Sequence, residues 1–97
     1  MATYVVLGNF TEQGIRNIKE TTKRSYAVAE AAKRFGATLK AEYWTLGSVD
    51  IVAVFEAPDE ASVTALSMAI GSAGNVRTQT LRAFSKDETN AILAKLA

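Results

Sequence analysis

Ninety-seven residues carry 11 basic and 10 acidic side chains, a formal net charge of +1, with 48% apolar and 22% charged residues. This is the make-up of one small globular domain spanning 1–97, with no strong field to draw in nucleic acid or an anionic membrane. There is no cysteine and no histidine, which excludes disulfides, thiolate or imidazole metal sites, cysteine nucleophiles and a Ser-His triad. No metal or other cofactor is expected.

No apolar run reaches the ~20 residues of a membrane span. Met1-Ala2-Thr3-Tyr4 enters a strand pattern with no basic leader or cleavage site. A soluble, cytoplasmic chain is the expectation.

Thr3 to Phe10 reads as a first strand, apolar on both alternate sets, with Gly8 suggesting a bulge or a close approach. Thr11 is a candidate N-cap. From there to Phe35 the composition is helical. The β-branched pair Thr21-Thr22 argues for a short helix or turn and then a longer helix. Ile15 and Ile18 share one face; Val28, Ala31, Ala32 and Phe35 share another. Gly36 is a stop signal after Lys33 and Arg34.

Ala37 to Leu46 reads as a second strand. Gly47-Ser48 suits a two-residue type II′ hairpin into a third strand ending at Pro58. That loop pairs Leu46 with Val49, Thr45 with Asp50, Trp44 with Ile51, Tyr43 with Val52 and Leu39 with Glu56. One sheet face then holds Trp44, Leu46, Val49, Ile51, Ala53 and Phe55. The other holds Leu39, Ala41, Tyr43, Val52 and Val54, with Thr45, Asp50 and Glu56 near its ends.

Asp59 is an N-cap for a helix with Val63, Leu66 and Ile70 as its buried stripe. Gly71 to Asn75 ends that helix, and Val76 to Phe84 is a fourth strand. Ser85 and Glu88 fit a capping box before a C-terminal helix with Ile92, Leu93 and Leu96 on its apolar side.

The order βαββαβ plus a helix points to an α+β ferredoxin-like sandwich, a four-stranded antiparallel sheet with two helices on one face. Its other face is also apolar. Either a second copy covers that face, giving a homodimer or larger assembly of dimeric α/β-barrel type, or the C-terminal helix does.

Asn9 to Ile15, Tyr43 to Asp50, Phe55 to Asp59 and Gly74 to Thr78 resemble the GYD-domain family over nearly the whole chain. The signature is Gly47-Ser48-Val49-Asp50, with Val49 where the family has tyrosine. The resemblance implies a small, oligomerising bacterial domain of ferredoxin-like fold and supplies no function.

Asp50 is the candidate catalytic residue. A carboxylate on an apolar face serves as a general base; an aspartate beside a turn also accepts backbone N–H bonds. Tyr43, Thr45, Glu56 and Arg82 complete a candidate ligand site. Tyr43 and Trp44 suit stacking or an interface, Arg77 and Arg82 suit an anion, and Glu56 pairs with Arg82 or Lys40 or is solvated. The basic residues Arg16, Lys19, Lys23, Arg24, Lys33 and Arg34 are offset by Glu12, Glu20 and Glu30 along the helix. Three functions follow: a self-associating domain that binds a small molecule in an apolar pocket near Asp50, an assembly or interaction module, or a cofactor-independent enzyme with Asp50 as base.

Overall fold

The computed structural model describes residues 1–96. Strand β1 (Ala2–Phe10) leads into a short helix α1 (Glu12–Arg16), a 3₁₀ turn at Ile18–Glu20 and the long helix α2 (Thr21–Arg34). The hairpin strands β2 (Thr38–Trp44) and β3 (Ile51–Ala57) follow, then α3 (Glu60–Ser72), β4 (Val76–Ala83) and α4 (Lys86–Leu93). The sheet order is β2-β3-β1-β4, antiparallel throughout. This is the expected ferredoxin-like sandwich with an added C-terminal helix.

The helix boundaries follow local chemistry. Thr11 caps α1 by accepting the Gly14 N–H at 3.1 Å, and Asp59 caps α3 by accepting the Ser62 N–H at 2.8 Å. Helix α2 ends in a Schellman arrangement. Gly36 sits at φ 72°, its N–H reaches the Lys33 carbonyl, and the Ala37 N–H reaches the Ala32 carbonyl. Ser85 and Glu88 close the capping box of α4 from both sides.

Cross-strand register sorts side chains into rows. On the helix-bearing face, Arg82, Tyr4, Phe55 and Leu39 form one row; Thr80, Val6, Ala53 and Glu42 the next; Thr78, Gly8, Ile51 and Trp44 the third. The first row carries the bulk. Tyr4 and Phe55 are buried with Val63 and Leu66 of α3 and Ala32 of α2, and this is the core.

Three readings need correcting. The bulge lies in β2, between Leu39 and Ala41, not at Gly8, which pairs regularly with Ile51 and Thr78. Lys40 is the extra residue, so Leu39 pairs with Phe55 instead of Glu56 and turns to the core face. The hairpin is also looser than a two-residue turn. The strands stop at Trp44 and Ile51, and the segment between them is closed by the Thr45 N–H on the Asp50 carbonyl at 2.8 Å, with Gly47 at φ 97°.

Two expected outcomes test this packing. A Cβ at Gly14 would collide with the Asn75 carbonyl, so Gly14→Ala lowers stability by about 1–3 kcal/mol, read from the urea midpoint at unchanged slope. The Asp59 carboxyl is held below its ordinary range, chiefly by the Ser62 backbone N–H. Its ionised form favours the folded state above the unfolded-state value, and that contribution fades as pH falls through the lower folded-state value. Asp59→Asn keeps a cap without the titration. It therefore loses less stability than the parent on acidification from ~pH 6 to ~pH 2.

Candidate functional site

Three of the four stretches that carry the family resemblance, Asn9 to Ile15, Tyr43 to Asp50 and Gly74 to Thr78, meet at one end of the sheet, where β1 runs out at Phe10; Phe55 to Asp59 lies at the other end. The Thr11 N–H donates to the Asn75 carbonyl at 3.1 Å, and the Thr11 hydroxyl to the Gly74 carbonyl at 2.6 Å. The Gln13 amide donates to the Ala73 carbonyl at 3.1 Å and the Asn75 side chain at 3.0 Å. Gly74, at φ 85°, gives the reversal that brings β4 back to this corner.

Asp50 joins the same corner from the other side. Strand β3 begins only at Ile51, opposite Gly8, which would leave the Phe10 N–H without a ladder partner. The Asp50 carboxylate accepts it at 2.9 Å, while the Asp50 N–H donates to the Gly8 carbonyl at 3.0 Å and the Asn9 side chain at 3.2 Å. Asp50 thus extends the β1–β3 pairing by one step. The backbone-acceptor role expected of an aspartate beside a turn is present, with its donor on β1 and not in the hairpin.

The other candidate residues do not gather around Asp50. Thr45 bonds the Val49 carbonyl across the loop through its hydroxyl. Tyr43 lies on the face away from the helices, 62% exposed, opposite Val52. Glu56 stands on that face at the far end of β3 and pairs with Lys40 at 3.4 Å. Arg82 is on the helix-bearing face, opposite Tyr4, at the sheet end away from Asp50. It pairs with Glu88 at 3.1 Å and stacks over Phe84, its guanidinium carbon 4.5 Å from the ring centre. The Ser85 N–H and then Arg82 hold the Glu88 carboxyl below its ordinary range. Among the described residues no group of three metal-ligating side chains occurs.

Two hollows border the Asp50 corner. On the face away from the helices a shallow one is lined by Leu7, Asn9, Val49, Arg77 and Gln79. Val49, the residue at the tyrosine position of the signature, is in its wall. On the helix side, α2 and α3 splay apart over the sheet and leave a cleft of about 350 Å³. The cause is residue size. The second and third sheet rows offer Ala53, Gly8 and Thr78, and the helices above them offer Ala27, Ala31, Ala69 and Ala73.

Three of the six helix basics pair as expected: Arg16 with Glu12 at 3.5 Å, Lys23 with Glu20 at 3.3 Å and Lys33 with Glu30 at 3.0 Å. Arg24 departs from this. It lines the cleft, one guanidinium nitrogen donates to the Asn17 carbonyl at 2.8 Å, and its Nη2 is enclosed without a partner among the described residues. The sequence signal was its spacing: Thr21, Arg24, Val28 and Ala31 recur at three and four residues, one face of α2.

Asp50→Ala removes the acceptor of the Phe10 N–H and costs about 1–3 kcal/mol, whereas Asp50→Asn, which keeps an oxygen there, costs less. Urea denaturation of the two variants gives this order if the carboxylate acts as a structural acceptor.

The GYD-domain profile matches residues 4–93. The chain is 36% identical over 84 residues, 86% of its length and 88% of the relative's, to a Thermus thermophilus protein named "Glutamine synthetase and cystathionine beta-lyase binding protein". On this profile match and this relative, the chain belongs to the GYD-domain family.

Proposed function

We propose that this chain is a self-associating binding module whose main ligands are proteins. The observation that carries this reading is the sheet face turned away from the helices. Two adjacent rows there run across all four strands: Leu81, Val5, Val54 and Ala41, then Gln79, Leu7, Val52 and Tyr43. Polar rows flank them, Ala83, Thr3, Glu56 and Thr38 at one end and Arg77 with Asn9 at the other. An apolar band with a polar border is the anatomy of an interface.

Among the described residues, the chain's own tail leaves this band open, with Leu81 40% and Tyr43 62% exposed. Ile92, Leu93 and Leu96 are 42%, 52% and 79% exposed, so the last helical segment has its apolar side free. Of the two covers foreseen from the sequence, the second copy is the one these exposures support. The relative's name adds protein partners: that protein is described as binding glutamine synthetase and cystathionine beta-lyase. A similar role here places partner recognition on surfaces that the paired sheets leave free.

The reading as a small-molecule binder near Asp50 is supported by the helix-side cleft, whose wall includes Phe10 and Ile51, both neighbours of that corner. The enzymatic reading has less behind it, because the Asp50 carboxylate is occupied by the Phe10 N–H. An activity in this chain that survives Asp50→Asn would rule out a proton-abstracting Asp50.

Sedimentation equilibrium is expected to give a mass of at least two chains. Val54→Glu, in the middle of the band, is expected to return a folded single chain with unchanged far-UV dichroism. A parent that sediments as one chain overturns the self-association. Co-sedimentation of the parent with glutamine synthetase and with cystathionine beta-lyase from the source organism tests the partner class. Binding to neither would confine the relative's role to the relative.

A further inference from the structure

We infer that the cleft between α2 and α3 is a binding site for a small organic carboxylate with an apolar body, Arg24 receiving the carboxylate. The site is on the helix side, away from the proposed interface, so its test is independent of the oligomeric state.

Three observations converge. The first is room. At about 350 Å³ the cleft is at the lower end of the range for small-molecule sites. It lies where a two-layer sandwich of this size would normally be filled. The second is lining. Val6, Val28, Ile51, Phe55, Ile70 and Val76 make walls that favour a hydrocarbon body. The third is an unmatched donor. The Arg24 Nη2 is enclosed with no acceptor among the described residues, although a buried guanidinium N–H is costly to leave unpaired. The bond from its other nitrogen to the Asn17 carbonyl holds the guanidinium in place. A ligand carboxylate would supply the opposite charge to Arg24 and, after a small shift of the guanidinium toward the cleft, the missing acceptor.

The charges around the cleft set the ligand's charge. Arg24 and Arg34 come from α2, and Glu42 comes from β2, where it accepts the Ser25 hydroxyl. Glu42 opposes a dianion more than a monoanion, which favours a monocarboxylate over a phosphate ester. Thr21, Asn75 and Thr78 add neutral polar groups.

Hexanoate is a suitable probe, with hexanamide as its uncharged match and hexyl phosphate as the dianion. Titration of the full chain is followed by amide chemical shifts. Hexanoate is expected to move Val28, Ala31, Ile51, Ala69 and Ile70 saturably, with hexanamide and hexyl phosphate each about tenfold weaker. Arg24→Met should weaken hexanoate about tenfold and leave hexanamide unchanged. Glu42→Gln, which retains an oxygen for Ser25, should tighten hexanoate binding. Damage to the fold would weaken it, so this variant decides the matter even where R24M fails to fold. The proposal is overturned by shifts outside the cleft, by no saturable binding, by equal binding of acid and amide, or by hexanoate binding that neither variant changes.

Discussion

A sheet with bulky apolar side chains on both sides needs cover on both, and this chain packs helices against one. That mismatch governs the rest. On the helix side, Tyr4, Phe55, Val63 and Leu66 are almost fully buried and supply the core. On the other side Val5, Leu7, Val52 and Val54 are only partly covered by their neighbours within the sheet. Two such bands brought together would form a second core between subunits. In that sense the proposed assembly would complete the fold.

The helix layer has its own asymmetry. On the helix-bearing face, Tyr4 and Phe55 fill the end of the sheet where β1 starts, whereas Ala53, Gly8 and Thr78 leave room toward the end where it finishes. The layer is therefore closed at one end and open at the other. What borders the opening is a set of structural bonds. The Asp50, Thr11, Gln13 and Gly74 bonds tie three strand ends together and hold the rim of the cleft in shape. No helix among the described residues is long and apolar enough to cross a membrane.

Much of this was legible in the residues. Alternation, the Gly36 stop and the caps at Thr11, Asp59 and Ser85 gave the elements, because these are local effects that each segment carries within itself. The hairpin pairing held from Trp44 to Tyr43 on one strand and Ile51 to Val52 on the other. It failed beyond Lys40, since a bulge leaves no mark in a strand pattern when the inserted residue is a solvent-facing lysine. The candidate site was less legible. Asp50, Glu56 and Arg82 were grouped by proximity within an expected hairpin sheet, but strand direction and face separate them. Arg24 was counted among the basic residues offset along the helix because Glu20 stands four residues before it. Only the splay of α2 from α3 makes its position special, and splay depends on how small residues on three elements meet.

The most direct test of the central claim is an isotope-filtered NMR experiment on a mixture of labelled and unlabelled chains. The account predicts nuclear Overhauser contacts between subunits from the methyl groups of Val5, Leu7, Val52 and Val54. Their absence, with those methyls in contact only with water or with Ile92 and Leu93 of the same chain, would contradict it.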